Sequence, residues 1–120
     1  MIVVVGGRAS GKRTYVRSLG YTEAEMADGV LDARPVLLNL QDLMAPGNES
    51  AFTEESSPEQ IAAALADKSV ITSCEIGNGI VPVDAAERAW RERVGRTLNI
   101  LADQADSVVR LVCGIPVVLK

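Results

Sequence analysis

Histidine is absent from these 120 residues. Its absence excludes histidine-assisted nucleophiles, histidine metal ligands and covalent histidine intermediates from this polypeptide's own chemistry. Aromatic residues make up only 3% of the chain, as Tyr15, Tyr21, Phe52 and Trp90. That is too few for base-stacking nucleic-acid modules. Twelve Lys and Arg stand against 16 Asp and Glu, for a net charge of −4. No basic footprint for nucleic acid exists. The two cysteines, Cys74 and Cys113, are too few for a disulfide framework. The longest apolar runs are short, and Ile2–Val5 has no basic lead, so neither a signal peptide nor a membrane span is expected. The expectation is a soluble, cytoplasmic protein with no nucleic-acid or membrane partner.

What is present reads as globular. Apolar residues are 48% and charged residues 23%, and a chain of this length folds around one core. A single domain over residues 1–120 is expected. Ile2–Val5 is a β-branched run suited to a strand buried on both faces. Gly6–Ser10 breaks it, and a helix is predicted from Gly11 to Leu19 with Gly20 ending it. Glu23–Val30 admits a short helix. Val36–Leu40 reads as a second strand and Ala45–Ser57 as an acidic loop. Ser57-Pro58-Glu59-Gln60 is a helix start, with Ser as cap, Pro in the first turn and Gln three residues on. That helix is predicted to reach Asp67, before a strand at Ser69–Ser73.

Glu75–Pro82 is a glycine-rich loop. Asp84 with Glu87 opens the next helix, where Ala86, Trp90, Val94, Leu98, Leu101 and Ala105 recur every three or four residues. Val108–Val112 and Ile115–Leu119 are predicted strands joined by Cys113-Gly114. Strands alternating with helices imply an α/β fold: a mostly parallel sheet flanked by helices, with room for an antiparallel C-terminal strand. Ligands in such sheets bind at the carboxyl ends of the strands. Gly6–Gly11, Asn39–Asp42, Cys74–Gly79 and Cys113 are therefore expected along one edge.

Gly6-Gly7-Arg8-Ala9-Ser10-Gly11-Lys12 satisfies G-x-x-x-x-G-K between a predicted strand and a predicted helix. Glycines let backbone N–H groups converge on phosphate oxygens. Lys12 adds a full positive charge. The following position calls for a Ser or Thr hydroxyl on Mg²⁺, yet Arg13 stands there and Thr14 comes one residue late, about 100° around the helix. The site residues expected from this pattern are Gly6, Gly7, Arg8, Ala9, Ser10, Gly11, Lys12, Arg13 and Thr14, with GTP or ATP as ligand. Mg²⁺ is left open and no metal ligand is assigned. The competing reading is a strand–helix turn that binds nothing. The second strand delivers Asn39 where a metal-side carboxylate is wanted, and Asp42 follows three residues on. Glu75 is the best-placed remaining acid, and Lys12 and Glu75 are the candidate catalytic residues. The plain alternatives are a strand-capping Asn39 and an exposed loop Glu75.

The carboxyl half carries a more specific pattern. Glu75-Ile-Gly-Asn-Gly-Ile-Val-Pro82 resembles an N-E-V-G-x-G-I-V-P signature, with Cys74 in place of Asn. Arg91-Glu92, Gly95, Ala105-Asp106 and the ending Val-Cys-Gly-Ile…Leu-Lys follow the same pattern, and Val5–Lys12 resembles its T-G-G-A-R-S-G-K-S loop. These motifs belong to the bifunctional adenosylcobinamide kinase and adenosylcobinamide-phosphate guanylyltransferase family of cobalamin biosynthesis. The resemblance covers about residues 1–20 and 70–120. It implies a RecA-like P-loop NTPase fold, nucleoside triphosphate binding at Gly6–Thr14, a corrinoid substrate and a trimer. It also implies phosphorylation of a corrinoid hydroxyl, then GMP transfer through a guanylyl-histidine.

The departures from that pattern are specific. The chain is shorter than the family, with the histidine-bearing segment largely missing between Gly20 and Pro35. The family's strand acid is Asn39, its metal-side Ser is Arg13, and its Asn-Gln is Leu98-Asn99. Two functions are therefore open: a nucleotide-binding member retaining kinase-type phosphoryl transfer without guanylyl transfer, or a non-catalytic binding or assembly module on the same fold. Elsewhere, Cys74 and Cys113 read as small core residues. Trp90 reads as core, and the arginines near Arg91 and Arg96 as a solvated face paired with Glu87 and Glu92.

Overall fold

The computed structural model describes residues 1–75 and 84–120. The glycine-rich loop predicted at Glu75–Pro82 therefore lies, beyond Glu75, outside the described residues. A six-stranded sheet forms the centre: β1 (Ile2–Gly6), β2 (Met26–Asp28), β3 (Val36–Leu38), β4 (Val70–Cys74), β5 (Ser107–Val112) and β6 (Ile115–Val118). Their order is β2-β3-β4-β1-β5-β6. All neighbours are parallel except β5 and β6, which are antiparallel. The mostly parallel α/β architecture and the antiparallel last strand are as the sequence implies.

Alternation along the strands builds two cores. Val3, Leu37, Ile71 and Val108 join one cluster, which also takes residues from α2 (Leu40–Leu43), α3 (Pro58–Ala64) and α4 (Ala85–Gln104). Val4, Val36, Val70 and Val109 join the other, with Val16 of α1 (Lys12–Ser18). Helices on both faces explain why the strands read as continuous apolar runs.

Helix boundaries follow local chemistry. Ser57 caps α3 by accepting from Gln60 N at 3.1 Å, while the Gln60 side chain accepts from Ser57 N at 2.9 Å. Asp84 caps α4 by accepting from Ala86 N at 2.8 Å. Val94, Thr97 and Leu101 of α4 are buried. Arg91 pairs with Glu87 and Arg96 with Glu92, one turn apart, as expected of a solvated face.

Several expectations are corrected. Glu23–Val30 is not a helix. A 3₁₀ turn at Glu23–Glu25 gives way to β2, because burying Met26 and Ala27 against β3 outweighs local preference. The strand at Val36 stops at Leu38. Asn39 adopts a left-handed conformation (φ 60°), which Asn tolerates better than branched residues, and Leu40 begins α2. Helix α3 ends at Ala64, short of Asp67. The cysteines are not core: Cys74 is half-buried and Cys113 exposed in the β5–β6 turn. Trp90 is half-buried against the core.

Candidate functional site

The loop after β1 is held tightly where it must be. A Cβ on Gly6 would lie 2.4 Å from Ser10 Oγ and 3.0 Å from the Leu111 carbonyl oxygen, so any side chain there forces Ser10 and the neighbouring backbone to shift. Around Gly7 the space is open. Ala9 (φ 58°) and Gly11 (φ 91°) take left-handed conformations that turn the chain into α1. Ser10 Oγ is buried without a hydrogen-bond partner among the described residues.

Lys12, with 9% exposure, folds back into this loop. Its Nζ donates to the carbonyls of Gly7 at 2.8 Å and Gly6 at 3.3 Å, and reaches Cys74 Sγ at 3.7 Å. Burying an ammonium is costly unless its donors are satisfied, and here loop carbonyls satisfy them. A cleft of about 240 Å³ runs along Ala9–Thr14 to Asn39 and Thr72. A wider one of about 590 Å³ includes Arg8, Lys12, Cys74, Glu75 and Trp90. The described part of the expected strand-edge cluster is brought together: Gly6 lies in register with Cys74, Asn39 N donates to Thr72 Oγ1 at 3.0 Å, and Gly114 lies beside Gly11, while residues 76–79 fall outside the described residues.

Arg13 turns to the edge of the sheet. Its guanidinium donates to Glu23 at 3.1 Å and Asp28 at 2.9 Å. Asn39 Nδ2 donates to the other Asp28 oxygen at 2.6 Å. Asp28 is therefore occupied by a cation and an amide. With Arg13 after Lys12 and an amide at Asn39, these positions do not fit a Mg²⁺ ion. No group of three Cys, Asp or Glu is placed to hold a metal among the described residues. Thr14 is exposed and lines the smaller cleft.

Glu75 sits at the end of β4, where its N–H donates to the Gly6 carbonyl at 3.0 Å. Arg110 of β5 grips its carboxylate in a fork, Nε at 2.5 Å and Nη2 at 3.2 Å. This contact raises the Arg110 pKa. The pair spans the loop's parent strand, since β1 lies between β4 and β5.

Gln41 is a candidate-site residue that the sequence placed only within the Asn39–Asp42 edge and did not single out. It is 8% exposed. Its Oε1 accepts from Cys74 N at 3.0 Å and Ser73 Oγ at 3.4 Å, and its Nε2 donates to Asn39 Oδ1 at 3.3 Å and Cys74 Sγ at 3.5 Å. Its carbonyl accepts from Trp90 Nε1 at 2.9 Å. One residue, through its side-chain amide and its backbone carbonyl, thus ties the ends of β3 and β4 to α4. The only local signal was a glutamine one residue past the strand-ending Asn39.

A family model described as "Cobinamide kinase / cobinamide phosphate guanyltransferase" matches residues 30–119. The chain belongs to this family. No curated protein matches it. The matched span takes in β3, β4, α4, β5 and β6, so it includes the residues at 30–69 that the motif resemblance had left out. It begins after β1 and the glycine loop, which the resemblance had included. Cobinamide kinase family membership thus rests on residues 30–119, and the loop with Lys12 stands on its own geometry. Between Gly20 and Pro35, this family member keeps a 3₁₀ turn and the three residues of β2. No helix among the described residues is long and apolar enough to cross a membrane.

Proposed function

We propose that this cobinamide kinase family member binds the phosphates of GTP or ATP at Gly6–Thr14 and retains at most the kinase half of the family's chemistry. The observation that carries the reading is Lys12: a buried ammonium bonded to the carbonyls of its own glycine loop, lining an open cleft. Phosphate oxygens are stronger acceptors than neutral carbonyls, so a nucleotide draws the ammonium outward. Arg8 adds positive charge to the same cleft. Glu75 is the acid positioned to orient an acceptor hydroxyl, once freed from Arg110. Guanylyl transfer through a histidine is closed to these 120 residues, which contain none.

A second reading, binding without catalysis, draws on a different observation. Arg13, Asp28 and Asn39 form a closed network where the metal-side groups of a phosphoryl-transfer enzyme are wanted. The same reading includes self-association through β6, whose edge exposes Ile115, Val117 and Val118, with a trimer as the resemblance implies. Light scattering over a dilution series checks that part.

Calorimetry with GTP and ATP, with and without Mg²⁺, tests the main reading. Binding is expected in the wild type and absent in Lys12→Ala. No heat at millimolar nucleotide from folded protein sinks it. Phosphorylation of adenosylcobinamide that disappears in Lys12→Ala and Glu75→Gln selects the kinase reading; binding without turnover selects the second.

A further inference from the structure

Arg13 lines the smaller cleft beside the glycine loop, together with Lys12, Asn39 and Thr72. A Mg²⁺-dependent phosphate site wants a hydroxyl directly after the lysine and a carboxylate at a neighbouring strand end. Here the first is a guanidinium and the second an amide. Both ends of that amide are engaged: Asn39 Nδ2 donates to Asp28 at 2.6 Å, and Asn39 Oδ1 accepts from Gln41 at 3.3 Å. A fixed cation at Arg13 repels a divalent ion placed beside it.

The Arg13 guanidinium is held loosely where it is. It donates to Glu23 at 3.1 Å and Asp28 at 2.9 Å, and its side chain is 44% exposed. Exposed ion pairs are weak. Each of the two carboxylates also has a second donor. Arg17 Nε donates to Glu23 at 2.6 Å, and Asn39 Nδ2 holds Asp28. Departure of Arg13 therefore strands neither acid. A guanidinium meets phosphate oxygens in a bidentate fork, which repays the exchange.

The surroundings suit a polyphosphate that carries its full charge. Lys12 lines both this cleft and the wider one, where Arg8 joins it. Ser10, 8% exposed, lines the smaller cleft with a hydroxyl unpartnered among the described residues. Charge that a divalent ion would cancel on the ligand is met instead by side chains of this chain. We infer that the site takes its nucleotide free of Mg²⁺, with Arg13 moving off Asp28 and Glu23 to bind the phosphates in the metal's place. Nucleotide binding itself rests on the reading above. What Arg13 adds is the form of the ligand: the uncomplexed triphosphate, for which Mg²⁺ competes with the protein.

Calorimetry with GTP and ATP on the full chain, in EDTA and in excess Mg²⁺, tests the inference. Wild-type binding is expected to be about tenfold or more tighter in EDTA, the size of one charge-assisted hydrogen bond. Arg13→Ser is expected to bind about tenfold more weakly than wild type in EDTA, while its affinity in Mg²⁺ holds or rises. Arg13→Lys keeps the charge without the fork and should fall between the two. Fluorescence of Trp90, the only tryptophan, confirms that each variant is folded. The wild-type comparison of the two buffers needs no variant, so an unfolded variant leaves the test standing. Equal or tighter wild-type binding in Mg²⁺ overturns the inference, as does Arg13→Ser that binds in EDTA as tightly as wild type. If that binding is lost in Lys12→Ala, the nucleotide reading survives the failure. No heat in either buffer removes both.

Discussion

Lys12 and Cys74 meet beneath the glycine loop, with the ammonium nitrogen 3.7 Å from the thiol sulfur. The thiol also takes the Gln41 amide at 3.5 Å. Cys74 is half-buried in the cleft, while Cys113 lies exposed in a turn. Alkylation by iodoacetamide is therefore expected to label Cys113 first and Cys74 at least severalfold more slowly. Nucleotide should slow Cys74 further without changing Cys113, and Lys12→Ala should remove that protection. Peptide mass spectrometry over time checks both sites at once. Equal protection of the two cysteines would place the ligand elsewhere.

Gly6 and Gly7 are predicted to behave differently despite being neighbours. Gly6→Ala drives a methyl to 2.4 Å from Ser10 Oγ and 3.0 Å from a backbone oxygen. A cost of about 1–3 kcal/mol is expected, as for other overpacked sites, together with a distorted loop and weaker nucleotide binding. Gly7→Ala meets nothing within 4 Å and should leave the melting temperature nearly unchanged. Thermal unfolding of the two variants side by side decides it.

Gln41→Leu removes the acceptor for Cys74 N and Ser73 Oγ and the donor to Asn39. Leaving a buried donor unsatisfied costs roughly 1–3 kcal/mol. Destabilisation of that order is expected in urea unfolding. A change below about 0.5 kcal/mol, the usual range of surface substitutions, would show that the network is replaceable.

How much of this was legible in sequence divides by distance along the chain. The cap at Ser57, the cap at Asp84, the loop from Gly6 to Lys12 and the β5–β6 hairpin depend on residues a few positions apart, and all could be read. Strand β2 could not, because Met26 and Ala27 become buried only by docking on β3. The left-handed turn at Asn39 hid for a related reason: Val36-Leu-Leu-Asn-Leu40 reads as one apolar run until Asn39 reverses it. The grip of Arg110 on Glu75 joins residues 35 apart in sequence, through strands that become neighbours of β1 only in the folded sheet. The burial of Gln41 within the expected Asn39–Asp42 edge was not legible, since nothing local marks a polar side chain for burial.

Asp32 supplies a pH signature. The Arg34 side chain, and then its backbone N–H, hold the Asp32 carboxyl at about 2, down from 3.8. A carboxyl depressed in the fold stabilises above its unfolded value and loses that contribution as pH falls through its folded value. Asp32→Asn should therefore be less stable than wild type near neutrality, with the gap closing between 3.8 and about 2. Because the pair is exposed, the gap should be small. Urea midpoints across that range check the direction. A gap that widens in acid would contradict it.

The Cys113-Gly114 turn has a reach beyond its own hairpin. Both residues have positive φ, at 51° and 77°, as a tight two-residue connection requires. A methyl on Gly11 would touch Gly114 at 3.6 Å. The glycine loop and the hinge of the outermost hairpin are therefore abutting parts. A side chain larger than glycine's at Gly11 would bring the loop and the hairpin turn into direct contact. If occupancy of the loop changes the affinity of β6 for a partner strand, linkage requires that strand to change nucleotide affinity by the same factor.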